Sequence, residues 1–223
     1  MLKSLKKILS LFIMVALVLG LMPTRVHAIQ VPEQKSFAQT GSIDLIDIIN
    51  NPKEYPDTQI KVETADEFLQ TINNDVNLTS IVKQNLIQDV KNASKQKAVE
   101  YKFITIHRTV KVNNAYSCYP YFYFKCEAQA GIPAFFVTLL NADIDRNYRG
   151  VTKQFSGRLF CNIESKTKFY WDLNGDFYDN GNTTVGGGVD IGINESVNFN
   201  FSVSYSSNHY AYIQYDERYT LKL

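Results

Sequence analysis

From about Val99 to the C-terminus, apolar residues recur at every second position, and this period constrains the fold more than any other feature of the chain. It is cleanest where Val197, Phe199, Phe201, Val203 and Tyr205 alternate with Asn198, Asn200, Ser202 and Ser204. A strand written this way buries one face and wets the other, which places it in an antiparallel sheet. Comparable runs lie at Tyr101–Val112, Ser117–Ala128, Ala134–Asn141, Gly157–Ile163, Lys168–Leu173, Val185–Ile193 and His209–Leu221. Turn-forming residues separate them: Asn113-Asn114, Asn180-Gly181-Asn182, Asn194-Glu195 and Ser206-Ser207-Asn208. About eight short strands with hairpin-length connections predict a mainly β protein, an antiparallel β-sandwich over residues 98–223 preceded by a short helical segment.

That segment covers residues 64–97. Ala65, Phe68, Leu69, Ile72 and Val76 fall near the helical repeat, with Thr64 and Glu67 as a capping box. Leu78, Val82, Leu86, Val90 and Ala93 form the stripe of a second amphipathic helix, so the pair reads as a helical hairpin. Residues 29–63 are expected to be mobile or irregular, with one apolar stretch at Ile43–Ile49 whose period is ambiguous. At the N-terminus, Lys3, Lys6 and Lys7 precede an apolar run from Ile8 to Met22, and Val26-His27-Ala28 supplies a small-residue cleavage site. This is the layout of a signal peptide over residues 1–28, and it predicts a secreted, extracellular protein.

The leader carries four basic residues (Lys3, Lys6, Lys7, Arg25) and no acids, so its removal moves the formal charge from +1 to −3. A mildly acidic protein with no basic run lacks the footprint for nucleic acid, which is excluded as a partner. No second apolar stretch reaches spanning length and the tail carries no sorting signal, so no transmembrane anchor is expected.

Cys118, Cys126 and Cys161 remain after cleavage, an odd number in an oxidising compartment. On a straight strand Cys118 and Cys126 stand roughly 26 Å apart and cannot bridge, which leaves Cys161 with Cys118 or Cys126 as the one disulfide to consider. The alternative is three small buried apolar residues. A nucleophilic pair of Cys161 with His107 or His209 has no local motif behind it. No nucleophile elbow, zinc helix or phosphate-binding glycine loop is present, and Gly186-Gly187-Gly188 leads into another alternating run, as a bulge or bent strand would.

Asp172, Asn174 and Asp176 place oxygens at the first, third and fifth positions of a calcium loop. The register then departs from that pattern at Phe177, where glycine is needed, and at Thr183, where a bidentate glutamate belongs. A hairpin turn at Asn174-Gly175 is the preferred reading, and no cofactor is expected. Asp143, Asp145 and Asn147 form a weaker cluster that reads as a solvated loop.

The chain contains 14 Tyr and 14 Phe, enough that one strand parity cannot hold them all. Phe122, Phe124, Phe199 and Phe201 fit the core. Tyr121 and Tyr123, and Tyr210 and Tyr212, occupy the opposite parity and are the candidate exposed aromatic ladder, a platform for glycan or protein recognition. Cross-strand pairing that merely stabilises the sheet is the preferred reading of these rings. The expected function is a secreted non-catalytic module that binds an extracellular glycan, cell-surface polymer or protein. A membrane-active toxin or bacteriocin-like protein and a hydrolase with dispersed carboxylates are the alternatives. In its lysine-rich leader, few cysteines and Tyr/Asn-rich strands the chain resembles small secreted proteins of Gram-positive bacteria.

Overall fold

The computed structural model describes residues 42–96, 98–186 and 191–222, with the backbone alone for Tyr205–Ser207. The signal peptide, the segment 29–41 and the glycines at 187 and 188 lie outside the described residues.

The chain folds mainly as β-structure, in the order β1 (Ser42–Asp44), α1 (Leu45–Asn50), β2 (Thr58–Glu63), α2 (Ala65–Asn74), α3 (Ser80–Ser94), then β3 (Tyr101–Arg108), β4 (Val110–Lys111), β5 (Ser117–Gln129) and β6 (Ile132–Asp145). A two-stranded ribbon of β7 (Asn147–Tyr148) and β8 (Val151–Thr152) follows, then β9 (Gln154–Ser165), β10 (Lys168–Gly186) and β11 (Ser196–Thr220). One sheet runs β2-β3-β5 with β6 on the far edge of β5 and β4 beside β5; the other runs β1-β11-β10-β9. All long pairings are antiparallel, and only β1 joins in parallel, against Arg218–Thr220.

The inner faces of the two sheets form the larger core. Ile104, Ile106, Phe122, Phe124 and Phe136 of the first sheet meet Phe155, Leu159, Phe169, Trp171 and Phe199 of the second. Cys118, Cys126 and Cys161 sit in this core as three fully buried free thiols, so the disulfide considered from the sequence is not formed. Each fills a small apolar position in its strand, and burial pushes all three thiols upward.

A third layer covers the outer face of the first sheet. Helix α2 starts at a complete capping box between Thr64 and Glu67, and α3 at a Thr79 cap. Their apolar stripes bring Phe68, Ile72, Leu86 and Val90 onto Phe103, Tyr121 and Tyr123. Phe68 stacks on Phe103 at 4.8 Å and meets Tyr123 edge-on at 5.4 Å. A helix covering a sheet buries both faces of its central strand, which is why β5 is aromatic at both parities.

Two departures from the sequence reading concern continuity. Residues 42–63, expected to be irregular, supply an edge strand to each sheet and the buried Leu45 and Ile48 of α1. The runs read as four strands between Lys168 and Leu221 are two long ones, and their turn residues mark irregularities in a single coiled hairpin. Pairing slips between Phe177 and Tyr178 and between Asn180 and Asn182, near Gly181 and Asn208, both at positive φ. The hairpin then curls until Ser196–Phe201 pairs with the free edge of β9. Asn174-Gly175 lies mid-strand. Gly175 pairs with Gly157, and a Cβ on Gly175 would stand 2.3 Å from the Ser156 carbonyl oxygen and 2.8 Å from the Phe155 ring, so glycine there permits close strand approach rather than a turn.

Candidate functional site

The register of the first sheet sets two rows of side chains across its helix-facing side. One row runs Gln59, His107, Tyr121, Asp143, and the next runs Lys61, Thr105, Tyr123, Asn141. The loop between α2 and α3 lies over these rows, because Tyr123 Oη donates to Asp75 Oδ2 at 2.5 Å. Asp75 also turns its own loop, accepting the Asn77 amide at 2.9 Å.

The second row is closed at one end. Glu63 accepts from Thr105 at 2.9 Å and from Thr71 at 2.5 Å, and it pairs with Lys61 at 2.5 Å. The first row is open. Tyr121 is 1 % exposed, yet its hydroxyl has no hydrogen-bond partner, and the Asn141 side-chain nitrogen is likewise buried and unpaired. Buried polar atoms without partners are rare and costly, so two in adjacent rows mark a place that packing alone does not explain.

Two cavities open here. The smaller, about 440 Å³, is lined by Lys61, Asp75, His107, Tyr121, Tyr123 and Asp145, with the His107 ring stacked on Tyr121 at 5.5 Å. The larger, about 880 Å³, runs between α3 and β6, from Asn77 and Asn85 past Asn141 and Asp143 to Val185 and Phe199 on the curled hairpin. Asn77 and Asp145 line both, so the two form one cleft. Val76 and Val185, exposed by 91 % and 46 %, add apolar surface to its walls.

The floor of the larger cavity is a strand edge. Leu139 exchanges both backbone bonds with Ile191, so its peptide group faces away from β5, and past the bulge at Leu140 the same phase turns Ala142 and Ile144 outward. Asp143 accepts the Ile144 amide at 2.7 Å and blunts this edge.

The electrostatics of the cleft are acidic. Lys61 is engaged by Glu63, while Asp75, Asp143 and Asp145 all lie within electrostatic reach of the Tyr121 hydroxyl. Burial pushes the Asp143 carboxyl up to about 6, against the pull of the Ile144 amide and Arg146. Burial lowers His107 and raises Tyr121 and Tyr123; Asp75 and Asp145 act on His107 in the opposite sense. Such a site attracts cations and can exchange a proton near pH 6 through Asp143.

The residues singled out from the sequence are placed differently. Tyr121 and Tyr123 form no exposed ladder, because α2 and α3 cover them. Tyr210 is the extra residue of the bulge opposite Phe177–Tyr178 and turns toward the core, meeting Tyr116 edge-on at 5.7 Å with the Lys153 ammonium 4.0 Å from its ring. Tyr212 stays on the outer side and donates to Asn174 Oδ1 at 3.3 Å, so the two tyrosines share no platform. Asp172, Asn174 and Asp176 alternate along β10 rather than converging in a loop. Asp172 faces Arg158 at 3.2 Å and Asp176 faces His209 at 2.8 Å. Among the described residues no three His, Cys, Asp or Glu side chains converge as metal ligands. Cys161 points into the core between the sheets while His107 lies on the helix side, so that pair does not assemble.

Asp143 and Asp145, expected in a solvated loop, end β6 and line the cleft. The signal available in the sequence was their alternation with the apolar Ala142 and Ile144. Among the described residues no helix is long and apolar enough to cross a membrane. Comparisons with protein-family models, with curated proteins and with solved structures find no match to this chain.

Proposed function

We propose that this chain is a secreted, non-catalytic recognition protein that takes an extracellular ligand into the cleft between α3 and β6. The observation that carries the reading is the coincidence of an open cavity of about 880 Å³ with the unpaired, buried Asn141 amide and the exposed Val185 on its walls. Ligand sites are concave and hold a few convergent polar groups among apolar walls. The larger cavity has that composition, and the second-face tyrosines, now beneath the helices, support the cleft instead of forming a binding face.

The test is binding of the secreted chain to three probes: solubilised peptidoglycan fragments, chitin oligosaccharides and a phage-displayed nine-residue peptide library. Asn85 is exposed on α3 and lines the cavity, so Asn85→Trp fills the groove without entering the core. Binding of one probe class that is lost in Asn85→Trp, with the melting temperature unchanged, supports the proposal. Binding that persists in Asn85→Trp, or no binding by any class, overturns it.

A further inference from the structure

We infer that the smaller cavity receives a primary ammonium group of the ligand, held by Asp75, Asp145 and the Tyr121 hydroxyl; the inference rests on the cleft reading above and names the chemistry of its smaller part. Three observations converge on it. The acceptors come from three separate elements: the α2–α3 loop, the end of β6 and the middle of β5. A tripod of acceptors matches the three donors of a compact ammonium, whereas a planar guanidinium asks for one bidentate carboxylate.

The second observation is the Tyr121 oxygen. It is buried, unpartnered and lines the cavity, so it has accepting capacity that no described residue uses. The carboxylates also retain capacity: Asp75 gives one oxygen to Tyr123 and the other to Asn77, and Asp145 gives one to Asn147, while an ionised carboxylate accepts about four bonds. The third observation is charge. The neighbouring base, Lys61, is bound to Glu63 and Thr71, so the acids of the cavity are not neutralised from within. The stacked rings of His107 and Tyr121 add an aromatic wall suited to a cation.

One ammonium chemistry has two sources, a lysine side chain in a polypeptide or a free alkyl amine. Calorimetric titration of the whole secreted chain at low ionic strength uses the peptide acetyl-Ala-Lys-Ala-amide, the same peptide with an acetylated lysine, and 1,5-diaminopentane. Saturable one-to-one binding of an amine probe, with at least tenfold loss on lysine acetylation, is the expected result. Tenfold preference for the peptide assigns a polypeptide source, and the reverse preference assigns a free amine.

Asp75→Asn and Asp145→Asn should each weaken binding tenfold or more, and Tyr121→Phe several-fold. Asp216→Asn, on the outer side of the other sheet, should leave it unchanged. Asp75→Asn disturbs a hydrogen bond to Tyr123, so Tyr121→Phe is the decisive variant: it removes a hydroxyl that has no partner in the fold. Equal binding of the acetylated peptide, or wild-type affinity in both Tyr121→Phe and Asp145→Asn, overturns the inference. If either result appears while Asn85→Trp still abolishes capture of a larger probe, the cleft reading stands and only the ammonium assignment falls.

Discussion

Asp143→Asn should make the protein more stable at neutral pH, and the gain should disappear in acid. The carboxyl is partly buried on β6 where it lines the cleft beside the helical layer, and desolvation raises it from 3.8 to about 6. In the unfolded chain it returns to about 3.9. Between those values the folded state holds a proton that the unfolded state has released, so stability falls as pH rises through the window and the whole cost is present above pH 6. Two units correspond to about 3 kcal/mol, of which roughly 2 kcal/mol accumulates between pH 4 and pH 7.5. Asparagine keeps an oxygen for the Ile144 amide, bound at 2.7 Å in the native protein, and removes only the ionisation. For a domain of this size about 2 kcal/mol corresponds to about 4–8 °C. Calorimetric melts of both proteins at pH 4 and 7.5 give the change as a double difference, in which other titrating groups cancel. A melting difference that is the same at both pH values, or that turns against the variant at pH 7.5, refutes the account of Asp143 as a desolvated, unfavourably ionised group.

The other predictions concern the two layers of the sandwich. Thiol titration should find no reactive cysteine in the native protein and three after denaturation without reductant, since Cys118, Cys126 and Cys161 are free and fully buried; one or two fewer would reveal a bridge. Gly175→Ala should cost about 1–3 kcal/mol or more in chemical denaturation, because its Cβ would lie 2.3 Å from a backbone oxygen of the neighbouring strand. Arg108 Nε faces the fully buried Glu217 carboxylate at 3.2 Å, so Arg108→Met should cost about 3–5 kcal/mol at pH 7.5. Burial already raises Glu217 against Arg108; without the arginine its value climbs further, so the loss should shrink as pH falls through it, and Arg108→Met with Glu217→Leu should recover most of it.

The fold class was legible because period two is a direct imprint of one-sided burial, and Val197–Ser204 keeps that alternation in the structure. Strand continuity was less legible. Asn180-Gly181-Asn182 and Ser206-Ser207-Asn208 carry turn chemistry, but positive φ at Gly181 and Asn208 serves a bulge as readily as a reversal. Which use is made depends on whether the following residues find a partner ahead or behind, and the coiling of β10 and β11 over β9 is a tertiary outcome. The β1 edge was hidden because three residues are too short to set up a period, whereas β2 carries a brief alternation, Ile60 and Val62 between Gln59, Lys61 and Glu63, that its polar flanks obscure.

The site was half written in the chain. Two amphipathic helices must cover an apolar surface, and β5, with Tyr121 and Tyr123 alternating with Phe122 and Phe124, was the strand with apolar bulk at both parities. Joining those observations would have buried the tyrosines at once. What local pattern does not contain is where the cover ends. Helix α2 stops at Asn74 and α3 starts at Ser80, and the gap between them falls over the row His107, Tyr121, Asp143. A purely structural layer would be better served there by phenylalanine and an uncharged residue, which leave no hydroxyl unpaired and no carboxylate desolvated. Keeping Tyr121 and Asp143 therefore lowers the stability of the apo protein, and a cationic ligand in the cleft would reverse both penalties together: it pairs the hydroxyl and favours the ionised acids. On the ammonium proposal, stability and binding are then coupled at this row, so Tyr121→Phe with Asp143→Asn should raise the melting temperature of the free protein and shrink the rise that a cationic ligand produces in the wild type.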